Sequence, residues 1–483
     1  MSFQWAEMRM KSNNVEQHRV AALNGATTCA VILLALLLLH PHAAAFEVGV
    51  ATAVITPDVE ARDVPLAGYG SRLGRPATGV HDPLHAKVLF LDDGTQPLAL
   101  VTVDLRSSTP EFKEQIVNKS EALGLTLDTV FVAASHTHAG PSMYPERFWQ
   151  LQFGVYDPAI VDEMTSAIAA ALAEAADTAV PMHMGYAVGQ VEEATRNRRW
   201  EYNLEQRTEA GETPLVDPRL AVVRFDDLAG ACRALVVHFA SHPTILSAAN
   251  MDISAEWPGV LQRELEEAFP GATVLFLNGA LGDQAPVAPD GEDEFTRMEQ
   301  YGVRIAHLAA EIAGDIETKP ETSVAIVRKT PSLPPLSFSE DAKRRFAAFK
   351  NAAEEALPRQ AELQLLCIGP VWLAGLPGEP LLAVGQAVEQ QLKQKGSALP
   401  LAVGLANDYI GYIVNEKEYA HGGYEVESRS FYGPGLGAFI EKALATLTES
   451  VNTRFTEDAC GARNNRETCG LRSFYGQRVM VLK

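Results

Sequence analysis

Apolar positions recur in two rhythms between residues 48 and 447. Short runs, alternating or continuously apolar, read as strands at 86–91, 98–103, 129–134, 183–188, 220–225, 234–239, 273–277, 323–327, 362–368 and 400–404. Longer stretches with apolar residues every three or four positions read as helices at 110–123, 159–176, 259–268, 294–316, 340–355 and 380–395. Strands alternating with helices predict an α/β fold. No repeat and no low-complexity linker divides the run, so one large layered domain with a mixed or parallel sheet is expected over 46–450. Beyond it the periodicity fades, and 451–483 reads as a tail.

Polar residues punctuate the strand ends. Asp104 follows "LALVTV", His136 follows "TVFVAAS", His242 follows "ALVVHFAS", and Asn278 follows "ATVLFL". Glu379 follows "VWLAGLPG", and Asn407 and Asp408 follow "LAVGLA". Ligands of open α/β sheets bind where strands end, so one sheet edge is expected to carry one site. The segment "VFVAASHTHAGPS" ends a strand on two histidines one residue apart. Alternate residues of an extended segment point the same way, which predicts that His136 and His138 face one pocket. Such a pair suits a metal site or an acid/base pair, and surface histidines in a loop are the alternative. His136, His242 and Glu379 together offer two nitrogens and an oxygen, the donors a catalytic zinc uses beside one open position. Each has a plainer reading: Glu379 could cap the helix from Pro380. His238, in the strand body of "VHFASH", reads as a core residue, and Tyr409 and Tyr419 as packing aromatics. Asp104 reads as a turn former or a supporting partner.

Composition narrows the partners. A chain of 483 residues with 47% hydrophobic content can bury a large core, and its net charge of -21 repels nucleic-acid phosphates and anionic headgroups. No basic stripe overrides this, so no nucleic-acid partner is expected. Lys11 and Arg19 precede an apolar run at 30–39, and Ala43, Ala44 and Ala45 follow it. This reads as a secretory signal peptide over 1–45, with Met8 or Met10 as alternative starts. The run is too short to span a bilayer comfortably, so no transmembrane span is expected in the mature chain. The expected location is secreted or periplasmic, with an uncleaved N-terminal anchor as the alternative. Cys29 leaves with the signal, Cys232 and Cys367 sit in strand-like runs, and Cys460 and Cys469 in the polar tail offer a short disulfide in an exported protein.

The chain resembles the neutral, non-lysosomal ceramidases, secreted zinc amidases that cleave the N-acyl bond of ceramide. The resemblance runs from about Phe46 to Ala445, through "VGVATAVITPD", "PLAGYG", "VTVDL", "ASHTHAGPS", "RNRR", "VHFASHPT", "GLPGEP" and "GLANDYIGYIVNEKEYAHGGYE". It implies one zinc per chain, held by His136, His242, Glu379 and, as an unusual fourth donor, Tyr412. It implies that His138 faces substrate and the attacking water, that Tyr424 stands near the scissile carbonyl, and that Arg198 is the active-site arginine, with Arg199 as the neighbouring alternative. The resemblance implies an Asn-x-Gly-Asp/Asn-x-Ser-Pro loop, which is "LNGALGDQAP" here: Gly282 and Asp283 are in place in this substrate-side loop, and Ala285 stands where the family has serine. If that serine is a nucleophile, the chain is inert by that route; a zinc-activated water needs no serine, so the change bears on the substrate more than on the chemistry. The implied partner is a lipid-like or N-acyl small molecule, and another amide, an ester, or mere binding without catalysis are the alternatives. A phosphate-ester or sugar-ester hydrolase would be expected to recruit several Asp ligands, which these positions do not supply.

Overall fold

The computed structural model of the chain describes residues 47–320 and 323–461. Eight strands form the path of a nine-stranded mixed sheet. In chain order they are β1 (Glu47–Val54), β2 (His85–Asp92), β3 (Leu98–Val103), β4 (Val130–Ala134), β5 (Val180–Gln190), β6 (Arg219–Asp227), β7 (Cys232–Phe239) and β8 (Thr273–Asn278). Their spatial order is β8-β7-β6-β5-β1-β2-β3-β4, and the ninth strand, Lys319–Pro320, pairs with β5. The inner pairings are antiparallel; the outermost pairs, β3 with β4 and β7 with β8, are parallel. A second sheet holds β9 (Val324–Lys329), β10 (Leu363–Ile368), β11 (Val371–Gly375) and β12 (Leu399–Val403), and it too ends in a parallel pair, β11 with β12.

Alternation along each strand sorts side chains into layers. In β2, Leu89 and Leu91 pack with Leu366, Leu373 and Leu401 of the second sheet, while Ala86, Val88 and Phe90 face helices. In β8, Leu275 and Leu277 join that intersheet core, and Val274 and Phe276 face the other way. Helices α1 (Pro110–Lys119), α2 (Arg147–Phe153) and α3 (Pro158–Asp177) lie over the β1–β4 half, and α4 (Glu256–Ala268) and α5 (Glu294–Gly314) cover β6–β8. Helices α6 (Leu382–Gln394) and α7 (Leu436–Gly461) back the outer face of the second sheet through Val384, Val388, Leu436 and Ile440. With both faces buried, β3 and β4 read as apolar runs broken only by Thr102. Helix starts follow local chemistry: Asp157 accepts from the Ala159 N–H at 2.9 Å before Pro158, and Asp293 accepts from the Thr296 N–H at 2.7 Å.

The α/β class and the mixed sheet are as expected. Each of the ten strands read from the sequence is present, and five of the six helices are. The exception is 340–355, which breaks at Phe346 into Glu340–Arg345, a 3-10 turn and Lys350–Ala356. Of the elements numbered above, four are not in the sequence reading: β1, β11, α2 and α7; nor are the short pieces, among them Lys319–Pro320, Thr195–Asn197, Tyr412–Ile413 and Tyr424–Ser428. In β1, Gly49 interrupts the apolar signal because α3 lies so close that a Cβ there would stand 1.7 Å from the Ala175 carbonyl oxygen. Helix α7 continues through Gly461, past the residue where the tail was expected to begin. The expected signal peptide and Cys469, hence the Cys460–Cys469 pairing, lie outside the described residues.

Candidate active site

Just past each parallel pair stands one residue of the buried His136, His242 and Glu379 group. His136 lies two residues past β4, His242 three past β7, and Glu379 four past β11. Asn278, at the end of β8, ties the two histidine segments. Its side-chain amide donates to the carbonyls of Ser135 at 2.9 Å and Ser241 at 3.0 Å, the residues just before the two histidines. The second sheet is joined to the same edge. The Asn407 N–H donates to Val132 O, its Oδ1 accepts from the Val132 N–H, each at 2.8 Å, and the Gly404 N–H donates to Asn278 O at 3.0 Å. Gly282 closes the approach to Glu379: its N–H donates to Pro380 O at 2.8 Å, and a Cβ there would stand 2.8 Å from the Glu379 carbonyl oxygen.

His136 and His138 do face each other, Nε2 to Nε2 at 3.2 Å, but not as members of a strand. His136 has φ 76°, in the left-handed region, with its N–H bonded to Leu105 O at 2.9 Å. Such a conformation is uncommon outside glycine and costs about 1–3 kcal/mol. Here it turns the imidazole inward from the strand end. The close approach of the loop at 67–72 is permitted by Gly68, where a Cβ would stand 2.6 Å from His138 atoms. Tyr69 from that loop meets His138 edge-on at 4.7 Å between centroids.

His136, His242 and Glu379 are buried, and one donor atom from each lies within 4.8 Å of the others. Glu379 Oε2 stands 3.1 Å from His242 Nε2 and 3.3 Å from His136 Nε2. Donors about 2.0–2.1 Å from a tetrahedral zinc stand roughly 3.3 Å apart, so the spacing fits such an ion. Tautomers agree: His136 Nδ1 faces Arg106 O at 2.6 Å and His242 Nδ1 faces Gln284 O at 3.2 Å. A carbonyl only accepts, so each Nδ1 carries the proton and each Nε2 keeps a lone pair for an ion. Burial alone would raise the Glu379 carboxyl, whereas a proton on either facing imidazole would override that and hold it well below the usual range. Burial, with Arg198 adding to it, lowers His242 to about 4, so its ring is neutral. Burial and the neighbouring His136 push His138 well below its ordinary value, and its Nδ1 is buried with no hydrogen-bond partner.

The other wall is made by short elements. Tyr412 pairs directly with Glu379 in a two-residue parallel ladder. Its hydroxyl accepts from Arg198 Nη2 at 2.8 Å, and burial holds it well above the ordinary tyrosine range. Arg198 also donates to Gly282 O at 2.9 Å and Glu425 Oε1 at 2.8 Å, and stacks near the rings of Tyr412 and Tyr424. Arg199 turns away, into bonds with Glu418, Glu425 and the Gly422 carbonyl. Tyr424 is 45% exposed, its ring 6.2 Å from that of Tyr412. Asp283 accepts from the Leu382 N–H at 2.9 Å, so it, and not Glu379, caps α6. Ala285 is buried opposite Arg196 in a short antiparallel ladder. His238 is buried, with Nε2 2.9 Å from Ala402 O, a core contact. Asp104 accepts from the His85 N–H at 2.9 Å and from Gln262 at 3.1 Å, a supporting role.

Tyr409 departs from its expected role. Its ring packs near Trp149, but its hydroxyl lies 2.7 Å from Glu379 Oε1. Arg106 was missed altogether. No local pattern marks either residue, since what matters is a partner some 30 to 300 positions away.

A family model described as "Neutral/alkaline non-lysosomal ceramidase, N-terminal" matches residues 46–329. The neutral ceramidase of Pseudomonas aeruginosa is 23% identical over 495 residues, covering 85% of this chain and 73% of the relative. That of Mycobacterium tuberculosis is 24% identical over 484 residues, covering 81% and 75%. The solved neutral ceramidase from Pseudomonas aeruginosa superposes with a TM-score of 0.74 at 21% identity, over 85% of this chain and 75% of that one. A ceramidase complexed with C2 gives 0.73 at 20%, over 85% and 76%. With more than half of its length matched, residues 46–329, the chain belongs to the neutral/alkaline non-lysosomal ceramidase family.

Proposed function

We propose that this chain is a secreted or periplasmic zinc-dependent hydrolase of N-acyl amide bonds, a ceramidase in reaction type. The observation that carries the reading is the buried convergence of His136, His242 and Glu379 with both Nε2 lone pairs turned inward. Tyr412, beside Glu379 in the ladder, is the proposed fourth donor. When bound, zinc supplies Lewis acidity and brings water acidity toward neutral pH.

The chain's own groups do the rest. His138 is neutral and its Nε2 faces His136. With His136 Nε2 engaged by an ion, His138 has to find another partner, and a water in the same opening is the one available. His138 takes a proton from that water as its oxygen bonds to the acyl carbon, and returns a proton to the amine nitrogen as the C–N bond breaks. Tyr424, half-exposed beside Tyr412, donates its hydroxyl to the carbonyl oxygen as negative charge develops there. Arg198 orients this wall through Tyr412, Gly282 and Glu425. Gly282 and Asp283 shape the substrate side by fixing the loop that ends in Ala285.

Ala285 supports a second reading of the substrate. Its methyl cannot offer the hydrogen bond of a serine, which favours a different N-acyl amide or an ester over ceramide. The test is elemental analysis of the purified protein beside hydrolysis of ceramide, simpler N-acyl amides and esters, with and without a strong chelator. One zinc per chain and chelator-sensitive turnover are expected. A folded protein with no stoichiometric metal overturns the reading, and a zinc-loaded protein inert on every substrate makes it a binding protein.

A further inference from the structure

Glu379 presents its two oxygens to different worlds. Oε2 faces the imidazoles at 3.1 and 3.3 Å. Oε1 faces Tyr409 Oη at 2.7 Å and Arg106 Nη2 at 3.6 Å. Arg106 Nη2 also donates to Tyr409 Oη at 2.7 Å. A guanidinium has no acceptor. The tyrosine oxygen must therefore accept from Arg106, and its single proton is left for Glu379 Oε1. The direction of both hydrogen bonds is thus fixed by donor inventory alone, and the third side, Arg106 to Glu379, is an ion pair.

Arg106 is itself held. It is buried, its Nη1 donates to Tyr144 Oη at 2.5 Å, and its guanidinium lies 4.4 Å from the Tyr409 ring centroid and 5.0 Å from that of Phe153. Its main-chain carbonyl takes the Nδ1 proton of His136 at 2.6 Å. One residue therefore sets the tautomer of one donor through its backbone and braces another through its side chain. A buried guanidinium stays charged, so it also offsets the carboxylate where water cannot.

We propose that Tyr409 and Arg106 form an outer clamp on Glu379 that presets its Oε2 for a metal ion and so sets the affinity of the site. They are positioning residues that touch neither the ion nor substrate. The proposal rests on the reading of His136, His242 and Glu379 as metal donors. It adds that the "NDYIGY" loop contributes twice, through Tyr412 on the donor side and Tyr409 behind it.

The test is zinc affinity of the metal-free protein, measured by competition with a chromophoric chelator, in Tyr409→Phe. The ring stays and only the hydroxyl is lost. Affinity should fall about 10–100-fold, the usual effect of removing an outer partner of a ligand, while the unfolding midpoint of the metal-free protein stays near that of the parent. Tyr144→Phe is the control, because it removes a hydroxyl bonded to Arg106 that makes no hydrogen bond to Glu379. Unchanged affinity in Tyr409→Phe overturns the clamp. If Tyr409→Phe also lowers the midpoint, equal affinity losses in the two variants overturn it, and a loss confined to Tyr409→Phe supports it. A parent protein that takes up no zinc refutes the metal reading, an outcome distinct from either.

Discussion

His136, His242 and Glu379 stand just past largely buried strands of the two large sheets, and the groups around them are main-chain carbonyls, a tyrosine and an arginine in fixed places. Arg198, Tyr412 and Tyr424 belong to or adjoin elements of three, two and five residues: Thr195–Asn197, Tyr412–Ile413 and Tyr424–Ser428. The first set is fastened by hydrogen bonds that join three parallel strand pairs. The second is fastened by ions: Glu425 takes Arg198 and Arg199, and Glu418 takes Arg199 and Arg207. Donor geometry tolerates little drift, whereas short elements on a rigid frame can be altered without unsettling it. The contrast shows how residue 285, on the wall, can vary without disturbing His136, His242 and Glu379 on the frame.

Substitutions should divide along the same line. His136→Ala and His242→Ala should each abolish zinc binding and turnover, since the remaining donors rarely hold the ion against buffer. His238→Ala should keep its zinc and lose about 1–3 kcal/mol of stability for the unpaired Ala402 carbonyl. Elemental analysis separates the three, and zinc loss in the His238 variant would put the donor one turn of the motif away. Glu425→Gln should leave zinc in place but cost about 3–5 kcal/mol, read from denaturant midpoints, because it strips a charge from two arginines. If it sheds zinc as well, frame and wall are one unit and the comparison fails. His138→Ala should keep zinc and lower turnover about 10²-fold or more; a fully active variant would remove His138 from the chemistry. The smallest effect belongs to Ala285→Ser. One neutral hydrogen bond is worth about 0.5–1.5 kcal/mol, so activity on ceramide relative to simpler amides should rise by roughly tenfold or less, with zinc content unchanged. A serine variant that traps an acyl group, beside an inert parent, would instead make residue 285 a nucleophile position.

Long buried strands and capped helices were legible because burial on both faces leaves a plain apolar record, as in β3 and β4. β1 hid because a helix crosses it at Gly49, and α2 hid because it is two turns of mostly aromatic and amide residues. The predicted helix over 340–355 ignored the break at Phe346, which no proline or glycine announces. At the site, His136 and His138 do face each other, but for a different reason. An extended backbone was assumed, and a left-handed residue does the turning. Tyr409 shows the limit of sorting aromatics into packing or function: its ring does one and its hydroxyl the other. Asn278 was visible as a strand-end polar residue, but its service to two carbonyls appears only when both outer strands are present together.

That bridging amide has a bearing on how the chain matures. Its partners, Ser135 and Ser241, lie far apart in sequence, and Glu379 is more remote still. Apart from the His136 and His138 pair, an unfolded chain therefore offers an ion only scattered single ligands, and the proposed His136, His242 and Glu379 set exists only after both sheets have docked. A zinc ion held as proposed would then act as a late, reversible fastener whose binding free energy belongs to the folded state alone. At a free concentration a thousandfold above its dissociation constant, it would add about 4 kcal/mol to global stability. Occupancy of the site would thus double as a record that assembly was completed. A chain emptied by chelation should unfold at lower denaturant while keeping the same cooperative transition.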